Sequence, residues 1–480
     1  MRYLLILLIA SLIVACQNSS STDTNETKTA NLSAAKHEND TSSDTGEAPQ
    51  LGDITLKVSG AAEAQPDFER GLLLLHSFEY EDAREAFLEA QQKDPNFAMA
   101  YWGEAMTFHH SLWLRQEKDK AIEALQKLAS TKEARMAKVE TELEKDFFEA
   151  AEILFGEGTK ADRDKAYKDY MEQLTEKYPG NHEVSALYAI SLLGASGEGR
   201  DYEIYGKSAK IAQGIIAENP NHPGALHYLI HAYDDPDHAP LAKLAADSYS
   251  KVAPDAAHAL HMPSHIYVAM GLWDEVVTSN IASWNASVKR MQRKELDVTA
   301  QSYHALNWLQ YGLLQRKEFE KATDIMRSMQ EYMKNTDEKR ARSYLVFMKG
   351  GQLVETGDWT GEFADIEVKV DDLNIVSRSA YQLTNGLKAY YTKDKAALAT
   401  AVAKLEEDRK DTEVVVGDEG VPMCNAVGFA SKLPSQLDID LVKVMELELK
   451  AMLADLNGDK YEAQRLFREA TQLDESLNYS

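Results

Sequence analysis

The chain has 480 residues, with 52 Lys and Arg against 78 Asp and Glu, a formal net charge of −26. That balance argues against a nucleic-acid binder, which needs clustered basic surface, and against peripheral docking on anionic lipid. Two cysteines, Cys16 and Cys424, are too few for a disulfide framework.

Arg2 precedes an apolar run, Leu4 to Val14, too short to span a bilayer and followed by Ala15 and Cys16. The run Ile13-Val14-Ala15-Cys16 resembles a bacterial lipobox. The resemblance implies a lipoprotein signal peptide over 1–15 and lipidation at Cys16, which becomes the mature N-terminus. Gln17 follows, with no aspartate to signal inner-membrane retention. The expected location is the outer membrane, on its periplasmic or cell-surface side, through acyl chains alone. Residues 16–63 read as a flexible polar tether. Up to about Pro49 they are mostly Ser, Thr, Asn, Asp and Glu, which cannot bury enough apolar surface to offset ordering entropy. Ile54 to Val58 is β-prone, a stray strand or an extended lead-in.

Residues 64–480 read as one helical repeat domain. Gly71, Leu74, Tyr80, Ala83, Phe87, Ala90 and Pro95 stand where a helix–turn–helix repeat needs small residues at the crossing and a proline to end the second helix. Tyr101 to Met106 opens a second unit. One long charged helix is predicted from Ala134 to Phe155, and Asn181 to Leu193 opens another pair before the loop signal Gly194 to Gly199. Pro220 and Pro254 lie 34 residues apart, as do Tyr233 and Tyr267. Tyr303 to Met329 fits again, Gly357 and Trp359 mark a looser unit, and Ala451, Gly458, Ala463, Phe467 and Ala470 a clearer one. Asp411 to Pro434 is β-branched and rich in breakers, and is expected as a loop folded over one mouth of the array. Cys424 lies within it, with no histidine near, and reads as a buried structural thiol.

These repeats resemble the tetratricopeptide (TPR) family. Together with the signal peptide they are similar to a TPR lipoprotein of Gram-negative bacteria, in a branch that carries HALHMPSHIYVAMGLWDEVVTSN. The resemblance implies an all-α solenoid, a right-handed superhelix of helix–turn–helix units, and binding of a peptide, protein or small ligand in its concave groove. SusD-type glycan-binding lipoproteins are a second similarity, without their aromatic-rich insertions.

Six of the thirteen histidines fall between His227 and His265. Counting repeats from Pro223 and Ala257, His227 and His231 are the fifth and ninth residues of one, and His258, His261 and His265 the second, fifth and ninth of the next. At about 100° per residue, positions two, five, nine, twelve and thirteen share one arc, opposite the helix-packing positions. The same count puts His76, Trp102, His109, His110, Asp234 and His304 on the groove face with His258.

His227 with His231, and His261 with His265, are i, i+4 pairs, the spacing that brings two imidazoles to one ion. The four are expected to share a zinc or copper ion, with Asp234 as a carboxylate ligand or as the group that orients an imidazole. No glutamate stands between His227 and His231, so the general base of a zinc-peptidase helix is missing. The other reading is a metal-free polar groove for a peptide, protein or small molecule. Whether the chain is an enzyme stays open at this level. Gly194 to Gly199 has neither the lysine nor the strand of a phosphate-binding loop.

Overall fold

The computed structural model describes residues 49–196, 200–413 and 434–477, and over these the chain is an all-α array of antiparallel helix hairpins of the tetratricopeptide kind. The signal peptide, Cys16, the tether up to residue 48, Cys424 and most of the expected 411–434 loop lie outside the described residues. Residues 411–413 still belong to a helix.

The first hairpin shows why its residues recur. Helices α1 (Gln65–His76) and α2 (Tyr80–Lys93) pack with α3 (Ala98–Met106) around the fully buried Phe87. A Cβ on Gly71 would come within 2.7 Å of the Phe87 ring, and one on Gly103 within 2.3 Å. Glycine at both positions lets three helices close on one aromatic side chain. A short hairpin follows α3, with β1 (His109–His110) paired to β2 (Arg115–Gln116). Then come α4 (Lys118–Leu128), α5 (Lys132–Met136) and α6 (Glu142–Leu154).

The single helix predicted from Ala134 to Phe155 is therefore broken. Thr141 accepts from the Glu144 amide while the Glu144 carboxylate accepts from the Thr141 amide. That capping box starts a new helix in the middle of a continuous apolar spacing. Next are α7 (Lys160–Lys177), α8 (His182–Gly194), α9 (Tyr202–Glu218), α10 (Pro223–Ala232) and α11 (Ala239–Val252). Two short helices, α12 (Ala257–His261) and α13 (Pro263–Ala269), precede the long α14 (Trp273–Arg293). Pro263 opens α13, where its missing N–H breaks no helical hydrogen bond. The second half runs through α15 (Tyr303–Gln315), α16 (Phe319–Met333), α17 (Lys339–Thr356), α18 (Ile375–Thr392), α19 (Lys395–Glu413), α20 (Gln436–Leu456) and α21 (Lys460–Ser476).

The last part of the segment read as tether has fixed partners. The Gln50 amide donates to Asp255 at 2.7 Å, the Asp53 amide to the Asn221 carbonyl at 3.0 Å, and the Ser59 hydroxyl to Glu144 at 2.7 Å. Residues 54–58 are an extended lead-in without strand pairing.

The N-terminal half closes on itself. Helix α1 packs on α10 as well as on its own neighbours, and the Tyr249 hydroxyl of α11 donates to Ser77 at 3.1 Å. Arg290 of α14 donates to both Asp82 oxygens of α2, at 2.9 and 3.0 Å. The concave face expected to be an open groove is thus filled here by the chain's own side chains. Trp102, expected to line the groove, is buried with its ring 5.3 Å from that of Phe147, because α6 packs against α3.

Candidate metal centre

Helix α10 carries His227 and His231 one turn apart, both fully buried. His227 Nε2 lies 3.0 Å from His231 Nε2 and 3.1 Å from His258 Nε2, which α12 brings in. The three offer ligand atoms all within 4.8 Å of one another. A second triad stands beside the first. His261 of α12 and His265 of α13 place their Nε2 atoms 3.1 Å apart, and His304 of α15 offers a ring nitrogen within 4.8 Å of theirs.

The protonation of these rings is set from behind. His227 Nδ1 is 2.8 Å from the His76 carbonyl oxygen, which can only accept, so Nδ1 holds the proton and Nε2 presents a lone pair. Asn280 Nδ2 donates to the Val276 carbonyl at 2.8 Å, which turns Asn280 Oδ1 onto His261 Nδ1 at 2.7 Å. His265 Nδ1 donates to Asp234 Oδ2 at 2.7 Å. Burial would raise the Asp234 carboxyl, but the His265 imidazole and Arg200 outweigh it and hold the group below its ordinary range, ionised. Each of the three rings therefore spends its Nδ1 proton on a fixed acceptor, the arrangement that orients metal-binding imidazoles. With both rings neutral, two Nε2 lone pairs face each other across 3.1 Å in the second triad, a repulsion that a metal ion between them, or a proton on one of them, relieves. His304 completes the set: its Nε2 is buried without a hydrogen-bond partner, while Nδ1 lies 3.1 Å from the Tyr344 hydroxyl.

Burial, with repulsion from neighbouring imidazoles, pushes His227 and His261 down to about 3 and His231, His258 and His304 well below the usual imidazole range. Aromatic rings close the surroundings. Phe78 sits 4.3 Å from the His227 ring and Trp308 4.6 Å from that of His265. His258 and His304 are half-buried and form the edge nearest solvent.

A third group, His76, Glu183 and His222, also brings its ligand atoms within 4.8 Å of one another, but its chemistry is already complete. His222 Nδ1 accepts from the Ala225 amide at 3.2 Å, so its Nε2 carries the proton and donates to Glu183 at 3.2 Å. His76 Nε2 donates to the other Glu183 oxygen at 2.7 Å and Nδ1 accepts from the Tyr228 hydroxyl at 2.9 Å. Burial alone would raise the Glu183 carboxyl; the two imidazoles outweigh it and hold it far below its ordinary range. Neither imidazole has a lone pair left for an ion. Gly224 permits this packing, since a Cβ there would fall 2.4 Å from His76 Nδ1.

The expectation of one ion shared by His227, His231, His261 and His265 is corrected. The two i, i+4 pairs are divided between two triads, because α12 supplies His258 to one and His261 to the other and α15 supplies His304. His258 and His304, read as groove residues, are triad members, and Asp234 acts on a ring from behind. His76 lies buried behind His227 and not on a groove surface. His109 and His110 stand apart, because α3 ends at Met106 and puts them on β1. Gln116 Nε2 lies 3.2 Å from His109 Nδ1, and the His110 ring stacks on Tyr80 at 3.9 Å. Glu183, His222 and Asn280 were not anticipated. Only His222 carries a local signal, as the residue before a proline at a helix start.

No protein-family model and no curated protein matches the sequence. Similar solved structures include human IFIT1, as a dimer with m7Gppp-AAAA, at 14% identity and a TM-score of 0.39 over 88% of this chain and 91% of that one. Another is the TPR domain of P58(IPK), at 14% identity and a TM-score of 0.19 over 86% of this chain and 98% of that one. The helix hairpins themselves, not these distant likenesses, carry the fold assignment.

Proposed function

We propose that this protein binds a transition metal, zinc or copper, through its histidine triads, and that it does so as a lipid-anchored helical-repeat protein of the outer membrane. The observation that carries the metal reading is the pair of His261 and His265. Both have their Nδ1 protons committed, to Asn280 and Asp234, and their Nε2 atoms face each other at 3.1 Å. Three imidazoles per ion suit zinc and copper and leave a coordination position for a further ligand. An open groove that grips a peptide through these histidines has less support, since His227, His231, His261 and His265 are at most 5% exposed. The anchor rests on the residues around Cys16.

The test is elemental analysis of the full chain purified without a histidine tag, followed by titration of metal-free protein with zinc and with cuprous ion. Uptake with a rise in melting temperature is expected, and the double variant His261→Ala, His265→Ala should lose part of both. Metal-free protein that takes up neither ion and shows no thermal shift would overturn the proposal.

A further inference from the structure

We infer that the two triads form one coupled two-copper centre whose ligand is dioxygen; the inference rests on the metal-binding reading above. The triads are not independent sites that happen to be near. His258 and His261 lie on the same turn of α12, yet each serves a different triad, and their ring centroids are 6.3 Å apart. His231 and His265 approach across α10 and α13, also at 6.3 Å. The two sets therefore meet at two places, and ions held by both would be neighbours.

The donor set selects the metal. All six ligands are imidazoles, and neither triad includes a carboxylate or a thiolate. Asp234 is engaged with His265 Nδ1, and Glu79 with the His258 backbone amide at 2.9 Å. With neutral ligands, repulsion between the ions scales as the product of their charges, so two monovalent ions repel about fourfold less than two divalent ones. Copper is the ion among those that imidazole favours which can be held in the monovalent state and then change charge.

The missing anionic ligand points to what binds. Each cuprous ion gives one electron to dioxygen, whose O–O bond falls from double to single without breaking. One Cu–O bond forms to each ion, and no proton moves. The product is a peroxide dianion between two cupric ions: the total charge stays at +2, and the two electrons drawn from the ions now lie between them as an anionic bridge that the protein's neutral ligands do not supply. Phe78 and Trp308, packed on His227 and His265, shield the pair from water, and His258 and His304 are the half-buried member of each triad.

The experiment uses the untagged full chain in detergent, loaded with cuprous ion without oxygen and then exposed to air. Two equivalents of copper are expected, with a near-ultraviolet charge-transfer band on oxygenation and loss of more than nine-tenths of the cupric paramagnetic signal through coupling. His304→Ala should hold the first triad's copper only, give no band and show an ordinary cupric signal; His258→Ala should do the same from the other side, with circular dichroism to verify the fold of each. Two equivalents whose signal integrates to two uncoupled spins, or a single equivalent in the unmodified chain, would overturn the pairing while the metal-binding reading stands. No copper uptake at all would remove both.

Discussion

Replacing Asp234 by Asn separates metal affinity from folding. The Asp234 carboxylate accepts from His265 Nδ1 at 2.7 Å, and its side chain is 19% exposed. Asn keeps an acceptor oxygen at the same place, so the ring keeps its orientation and the metal-free protein should lose no more than about 1 kcal/mol. What disappears is the negative charge that strengthens this hydrogen bond and raises the basicity of His265 Nε2. Loss of such a partner weakens metal binding about 10–100-fold. At free metal one hundred times the unmodified dissociation constant, binding stabilises the native protein by about 2.7 kcal/mol. In Asp234→Asn the same free metal should stabilise by about 1.4 kcal/mol for a tenfold loss and about 0.4 kcal/mol for a hundredfold loss. Denaturant unfolding of both proteins, metal-free and in buffered metal, measures all four quantities. An unchanged metal-induced increment in the variant would refute the reasoning, as would a loss that is equally large without metal.

Three further outcomes are expected. Gly103→Ala places a Cβ 2.3 Å from the Phe87 ring and should destabilise the chain by about 1–3 kcal/mol, read by urea unfolding. Glu448 in α20 is 3% exposed, and burial, with Asp474 adding to it, pushes its carboxyl up to about 8. Its neutral form is favoured in the native state, so its contribution is fully present below the unfolded value near 4.5 and is lost as pH rises to about 8, at about 1.4 kcal/mol per unit. Glu448→Gln should remove that slope, so a stability difference between the two proteins that stays constant from pH 5 to 8 would contradict the assignment. Cys16→Ser should block maturation and release the chain from membranes, and retention at high salt would show that a protein partner holds it.

Much of the architecture was legible in the sequence because it is set by short-range spacing. Gly71, Ala83, Phe87 and Pro95 determine a helix hairpin by their separations alone, and Phe87 does sit where two glycines make room for it. The i, i+4 pairs His227/His231 and His261/His265 are likewise consequences of one helical turn, and each pair does bring its Nε2 atoms to about 3 Å. Local capping already limits this legibility: Thr141 and Glu144 interrupt an apolar spacing that favours one helix. What lay beyond it depends on which helices face one another. The first hairpin folds back on α10, so positions counted onto an open groove become interior, and His76 ends as the carbonyl that fixes the His227 proton. Asn280 reaches His261 across 19 residues, Glu183 reaches His76 across 107, and α15 delivers His304 to a triad begun on α12. No periodicity encodes those meetings, because they are set by the angles at which whole helices pack. The division of six histidines into two triads was decided there, in the tertiary structure.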